Sequence, residues 1–302
     1  MSKTTTNLIG ILLTILAGTY FYITYCSECS VMAKEEPKDE VVVPAVPEAT
    51  SYPFAFSDGD YAYNVNDNYN FNMSSSSILM PLSQKVTDGI SSLRTYLSEN
   101  AEKVLNVTGY YKSDEANKSA FPNLGLARAN AVKNHLAENG IPSAQINTMG
   151  LLMDDMVADG VVFKGPVSYG LDNKSEDADA EIQALYEKIT TNPLVLYFNT
   201  GQAAIDLSAE QRQKVADISR YLDKVENARA KVVGHTDNKG QRASNIKLGQ
   251  ERADFAMGYL VQNGIPETKI ITTSEGPDSP VESNATEEGR TKNRRTVITL
   301  SK

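Results

Sequence analysis

The first pattern along the chain is an unbroken apolar run. Leu8 to Tyr25 (LIGILLTILAGTYFYITY) carry no charge over 18 positions, which is about 27 Å of helix at about 1.5 Å per residue and close to the hydrocarbon thickness of a bilayer. Tyr20, Tyr22 and Tyr25 gather at its C-terminal end, where amphipathic rings favour a membrane interface. The run exceeds the roughly 7–15 apolar residues of a cleaved signal and contains no A-x-A site, so the reading is an uncleaved anchor over residues 1–26. Residues 27–51 are rich in Lys, Glu and Val with Pro37, Pro44 and Pro47, the composition of a semi-extended tether.

Beyond the tether the pattern repeats at an offset of about 124–125 positions. Tyr96-Leu97 matches Tyr221-Leu222, Gly109 matches Gly234, and Leu124-Gly125 matches Leu248-Gly249. Arg128-Ala129 matches Arg252-Ala253, and Asn139-Gly140-Ile141-Pro142 matches Asn263-Gly264-Ile265-Pro266. In the second copy Leu194 to Phe198 reads as a strand, and Ser208 with Gln211 as a capping box opening a helix with apolar Val215, Ile218, Tyr221 and Leu222. Ala228 to Thr236 reads as a second strand, followed by a helix from about Asn245 to Gln262 with Leu248, Phe255, Ala256, Tyr259 and Leu260 on its apolar face. Ile270 to Ser274 and Thr296 to Leu300 supply two further strands, with Arg290 to Arg295 expected as an ordered loop before the last. The expected fold is α+β: two tandem β-α-β-α-β-β domains over 52–170 and 193–302, joined by a linker helix within 171–192.

Composition narrows the function. The chain has 38 acidic and 29 basic residues, a net charge of −9, two Cys and two His. Such a balance lacks the basic footprint of a nucleic-acid binder, and two cysteines make neither a disulfide framework nor a zinc ribbon. Cys26 and Cys29, just past the anchor, suit a structural or intermolecular disulfide. With no acid or thiol arranged around either histidine, a hydrolytic site is unsupported; no catalytic residue, cofactor or metal is expected. His235 reads as a strand residue and His135 as a half-buried helix residue. Asp58-Gly59-Asp60 to Asp67-Asn68 carries calcium-type ligands without EF-hand spacing, and reads as a polar loop before a strand from Tyr69 to Met73.

The candidate chemistry lies in the second copy. Asp237 directly follows a strand in Gly234-His235-Thr236-Asp237-Asn238-Lys239-Gly240. Arg252 falls near the buried stripe of the next helix, where an arginine requires a carboxylate. Bordering one cleft, the pair suits a zwitterion bearing an ammonium and a carboxylate.

Thr236-Asp237-Asn238-Lys239-Gly240, Asn245, Leu248, Arg252-Ala253, Asn263-Gly264-Ile265 and the run Thr286 to Arg295 (TEEGRTKNRR) resemble the OmpA-like peptidoglycan-binding domain. The resemblance implies that the domain grips the meso-diaminopimelate of the stem peptide. Asp237 would then meet its ammonium and Arg252 its carboxylate, with Thr236, Asn245 and Arg294 as supporting residues. Departures from the family pattern are Gly249 after Leu248, Ser274-Glu275-Gly276-Pro277 at a strand end, and Gly201-Gln202 in the first-strand loop. The first copy resembles the same fold with the binding residues lost: Lys112 stands at the position of Asp237 and Phe121 at that of Asn245. Arg128 remains, and is expected in a structural ion pair.

The leading expectation is a membrane-tethered envelope protein that binds peptidoglycan non-covalently, with its domains in the periplasm and its anchor in the inner membrane, the outer membrane being the alternative. The alternative is a scaffold of a secretion or motility complex, with residues 52–170 binding a protein partner. An ion-driven stator is disfavoured because residues 8–25 hold no Asp, Glu, His, Lys or Arg to carry the ion.

Overall fold

The computed structural model describes residues 3–26, 48–198 and 206–301. The tether from residue 27 to residue 47, Cys29, and the Gly201-Gln202 loop lie outside the described residues. The chain divides into two units, Met1–Pro47 and Glu48–Lys302. In the first, helix α1 (Lys3–Phe21) runs into a π-turn over Tyr22–Cys26. Asn7–Tyr25 is long and apolar enough to cross a membrane by length and composition. The hydroxyls of Thr14, Thr19 and Thr24 donate back to the carbonyls of Gly10, Ile15 and Tyr20, so the helix satisfies its own polar groups.

The second unit opens with β1 (Phe54–Asp58), β2 (Tyr61–Val65) and β3 (Phe71–Asn72). There follow α2 (Gln84–Glu99), β4 (Lys103–Tyr111), α3 (Leu124–Glu138), β5 (Ile146–Leu152), β6 (Val162–Phe163) and β7 (Val167–Asn173). After the linker helix α4 (Ala178–Thr191) come β8 (Leu194–Tyr197), α5 (Ala209–Lys224), β9 (Arg229–His235) and α6 (Arg242–Gln262). β10 (Ile270–Gly276), α7 (Glu287–Asn293) and β11 (Arg295–Ser301) complete it.

The repeat is visible in the ladders. In the first copy the sheet order is β5-β4-β7 and in the second β10-β9-β11-β8. In each, the central strand pairs parallel with the edge strand and antiparallel with the last one. The packing is the same in both: β4 and β9 feed α3 and α6, whose backbones sit directly on the sheet. A methyl on Gly234 would lie 1.8 Å from the Gly249 carbonyl oxygen, and one on Gly109 would lie 2.0 Å from that of Gly125. Gly249 after Leu248 is therefore a packing requirement: its own Cβ would meet the Ser274 hydroxyl at 2.2 Å. The first copy solves the same crowding with Gly150 in the edge strand, where a Cβ would strike Asn123.

Four expectations change. The segment Asp58 to Asn68 is largely a hairpin rather than a polar loop: Phe54, Phe56, Tyr61 and Tyr63 form its aromatic surface, and Asp58 pairs with Lys103 and accepts from the Tyr96 hydroxyl. The strand expected over Tyr69 to Met73 shrinks to Phe71–Asn72, which pairs with β6. The run before the last strand is the helix α7 rather than a loop, its N-terminus capped by Thr286 with Glu287 and Glu288 in the first turn. Finally, Leu248 and Phe255 are partly exposed, and the buried face of α6 instead runs through Asn245, Gly249, Arg252, Ala253, Ala256 and Leu260. The glycine contact rotates the helix so that its small and polar side chains face the sheet.

The two copies share a seam. Lys133, 2% exposed, pairs with Asp223 at 2.5 Å. The Ala120 N–H donates to Asn263 Oδ1 (2.7 Å) and Asn134 Nδ2 donates to the Gly264 carbonyl (2.9 Å). Lys224 donates to the carbonyls of Ala144 and Ile146, and burial draws its pKa down to about 8.

Candidate functional site

The site is built at the C-terminal end of β9. Thr236 continues the strand edge, its N–H donating to the Gly276 carbonyl and its hydroxyl to the Asp237 carbonyl. Asn245, buried in the first turn of α6, donates to the carbonyls of Asp237 (3.3 Å) and Lys239 (3.0 Å). Asp237 Oδ1 accepts from the Lys239 N–H at 3.0 Å, the side-chain turn that fixes this loop. Thr236 and Asn245 thus shape the loop that presents Asp237.

Asp237 pairs with Arg294 rather than with Arg252. Arg294 Nη1 donates to Asp237 Oδ2 at 2.9 Å, and its Nη2 donates to Glu287 Oε1 and the Thr291 hydroxyl. The bond to Asp237 raises the pKa of Arg294, and Arg290 followed by Arg294 lowers that of Glu287. Arg294 is a fork fixed on three sides, and it leaves lone-pair positions on both Asp237 oxygens.

Arg252, 8% exposed, has one hydrogen bond among the described residues: Nη1 donates to the His235 carbonyl at 3.1 Å. Its guanidinium lies 5.8 Å from the centre of the Phe198 ring, which stands edge-on to Phe255. The carboxylate partner expected from sequence is absent among the described residues. Burial, and then the neighbouring Arg294, lowers its pKa, while Asp237 opposes them. A planar cation with most of its donors unpartnered among the described residues, beside an anion already oriented, suits a carboxylate-bearing ligand. His235 ends the strand as expected; burial and then Arg295 depress its pKa to about 4, so its ring is neutral near neutral pH.

Three residues that shape this site escaped the sequence reading. Phe198 backs Arg252, and Glu287 braces Arg294. Asn293, wholly buried, accepts from the N–H groups of Val281 and Glu282 and donates to the Glu282 carbonyl and Asn284 Oδ1. Asn284 in turn accepts from the Asn238 N–H beside Asp237. The signal for Asn293 was its place in the run TEEGRTKNRR; a polar residue one turn before a strand has no period of its own to reveal burial. A cleft of about 1060 Å³ lies elsewhere, between the first sheet (Asn106, Asn147) and α4 and α5 (Asp179, Arg220).

The second copy is thus a mixed sheet that carries, at one strand end, an oriented carboxylate and a guanidinium with one hydrogen bond among the described residues. The chain belongs to the OmpA family, whose sequence profile matches residues 70–159 and 197–294, together more than half of the chain. It is similar to the peptidoglycan-binding protein ArfA of Mycobacterium tuberculosis, 36% identical over 122 residues, covering 40% of this chain and 36% of that protein. It is also similar to the peptidoglycan-associated lipoprotein of Buchnera aphidicola, 33% identical over 128 residues, covering 42% of this chain and 70% of the lipoprotein. Among solved structures, the peptidoglycan-associated lipoprotein from Burkholderia pseudomallei aligns with a TM-score of 0.32 and 22% identity, over 35% of this chain and 89% of that one.

Proposed function

We propose that this protein is a membrane-tethered component of the cell envelope that holds peptidoglycan non-covalently, through the meso-diaminopimelate of the stem peptide. The observation that carries the reading is Arg252: a nearly buried guanidinium with one hydrogen bond among the described residues, next to Asp237. In this reading the ligand carboxylate completes the fork of Arg252, and its ammonium takes the free lone pairs of Asp237. Thr236 and Asn245 hold the loop, and Arg294 fixes the Asp237 rotamer. The names of the ArfA and lipoprotein relatives support peptidoglycan as the ligand. The division we propose is an anchor (1–26), a tether (27–51), a degenerate domain (52–170), a linker helix (171–192) and the binding domain (193–302). The domains lie in the periplasm and the anchor in the inner membrane.

The test is sedimentation of the full chain, in detergent, with purified sacculi. Wild-type protein pellets, and Asp237→Ala and Arg252→Ala remain in the supernatant. An Asp237→Ala variant that pellets as well as wild type removes the pocket, and equal binding to sacculi with lysine in place of diaminopimelate removes the specificity.

A second reading, a scaffold whose first domain binds a protein partner, draws support from Met149, Leu151 and Leu152, exposed on the edge strand β5. Crosslinking in cells with and without residues 52–170 tests it; an unchanged set of partners rules it out.

A further inference from the structure

The two arginines that match in the repeat, Arg128 and Arg252, sit in equivalent places with opposite degrees of satisfaction. Each has Nη1 on the carbonyl that follows the strand glycine, Tyr110 in the first copy (2.8 Å) and His235 in the second (3.1 Å). Each guanidinium lies against a phenylalanine, Arg128 at 5.6 Å from Phe71 and 5.4 Å from Phe163. Yet Arg128 is 0% exposed and spends all five of its N–H groups. Nε donates to the Ser75 carbonyl, Nη2 to that of Asn72, and the two terminal nitrogens grip Glu115 end-on, Nη1–Oε2 at 3.0 Å and Nη2–Oε1 at 2.5 Å.

Glu115 is equally complete. Beyond Arg128, its Oε1 accepts from the Ser74 N–H (2.8 Å) and its Oε2 from the Lys112 N–H (2.9 Å), so each oxygen has two donors. Ser74 reaches it from a left-handed backbone, φ 56°, rare for a residue with a side chain. Glu115 does not occupy the repeat position of Asp237. Lys112 does, and its ammonium bonds the Met156 carbonyl. The acid reaches the arginine from three residues farther along the loop, as an incoming molecule would.

We infer that Glu115 is an internal substitute for a ligand carboxylate, making the first copy a closed, self-occupied form of the site that is open in the second. The inference rests on reading Arg252 as a carboxylate site, and it adds two consequences. The chain binds one stem peptide, not two. The space around Arg128 is a carboxylate-specific site that emptying would reveal.

The experiment is thermal unfolding of the full chain in detergent, in sodium acetate and in sodium chloride at matched ionic strength and pH. Glu115→Ala melts below wild type in chloride, and acetate raises its melting temperature by about 3–6 °C for each tenfold rise in concentration above the acetate dissociation constant. Wild type and Glu115→Gln, whose side chain fills the space, show only the smaller shift of a chain in which the Arg252 site alone is open. If Glu115→Ala does not fold in chloride, its refolded yield by circular dichroism carries the same comparison, with recovery expected in acetate alone. A response of Glu115→Ala to acetate no larger than that of Glu115→Gln overturns the inference. Calorimetric titration of wild type with meso-diaminopimelate is expected to give one site, lost in Arg252→Met. A second site, lost in Arg128→Met, also overturns it. Absence of any diaminopimelate binding sinks the reading of the second copy, and the acetate response still decides this one.

Discussion

Replacing each of the matched arginines by methionine should have opposite effects on stability. Arg128→Met leaves the wholly buried Glu115 carboxylate without its cation while two backbone N–H donors remain. Breaking a buried pair by removing one partner costs about 3–5 kcal/mol. For a unit of this size about 1 kcal/mol corresponds to about 2–4 °C, so the melting temperature should fall by about 6–20 °C. Arg252→Met removes a buried cation that has no carboxylate among the described residues and gives up one hydrogen bond worth about 0.5–1.5 kcal/mol. Relief of the desolvated charge offsets that loss, and the melting temperature should stay within about 3 °C of wild type or rise. Ligand binding behaves the other way. Losing a charge-assisted fork costs about 2–5 kcal/mol, a drop of about 30- to 4000-fold in affinity, whereas Arg128→Met leaves the surviving folded fraction binding normally. Differential scanning calorimetry and titration with meso-diaminopimelate measure both quantities on the same samples. A drop for Arg252→Met as large as that for Arg128→Met would refute the reasoning, because Arg252 would then be a structural residue like its counterpart.

Asn293→Ala strips four hydrogen bonds from a buried site, and should cost about 2–4 kcal/mol and speed amide exchange at Val281 and Glu282. Gly249→Ala, with a Cβ 2.2 Å from the Ser274 hydroxyl, should destabilise by about 1–3 kcal/mol or more. Gly258→Ala, in the same helix with nothing within 4 Å, should stabilise by about 0.5–1 kcal/mol in chemical denaturation. His235 has a folded-state pKa of about 4 against an ordinary 6.5. The unfolded chain therefore takes up a proton first as pH falls, and the folding constant should drop by up to about tenfold per pH unit between about 6.5 and 4. His235→Asn should flatten that limb relative to wild type.

Much of this architecture was legible because the repeat supplied two readings of its central elements, α2 with α5, β4 with β9, α3 with α6 and β5 with β10. The Ser208–Gln211 capping box and the Asn-Gly turns at residues 139–140 and 263–264 act through local backbone chemistry, which sequence displays. The face of α6 was not legible, because a helix pressed against a strand through Gly234 and Gly249 buries its small residues and leaves Leu248 and Phe255 at the rim. The hairpin of β1 and β2 was hidden by the acidic residues at its turn. At the site, sequence placed Asp237 and Arg252 near one strand end but not their pairing, since Arg294 arrives from 57 positions away. Glu115 was missed for a related reason: the partner of Arg128 was sought at the position of Asp237, where Lys112 stands.

The seam between the copies has a mechanical consequence. A pull applied between Glu48 and Arg252 enters the second copy by two parallel routes, the covalent one through α4 and the polar one through Lys133–Asp223 and the Asn263–Gly264 turn. Those few polar bonds share the force with the linker. Each is worth only about 0.5–3 kcal/mol net of water, so we expect single-molecule pulling between residues 48 and 252 to open the seam first, in a small lengthening before the main unfolding event, with the arrangement around Arg252 still whole.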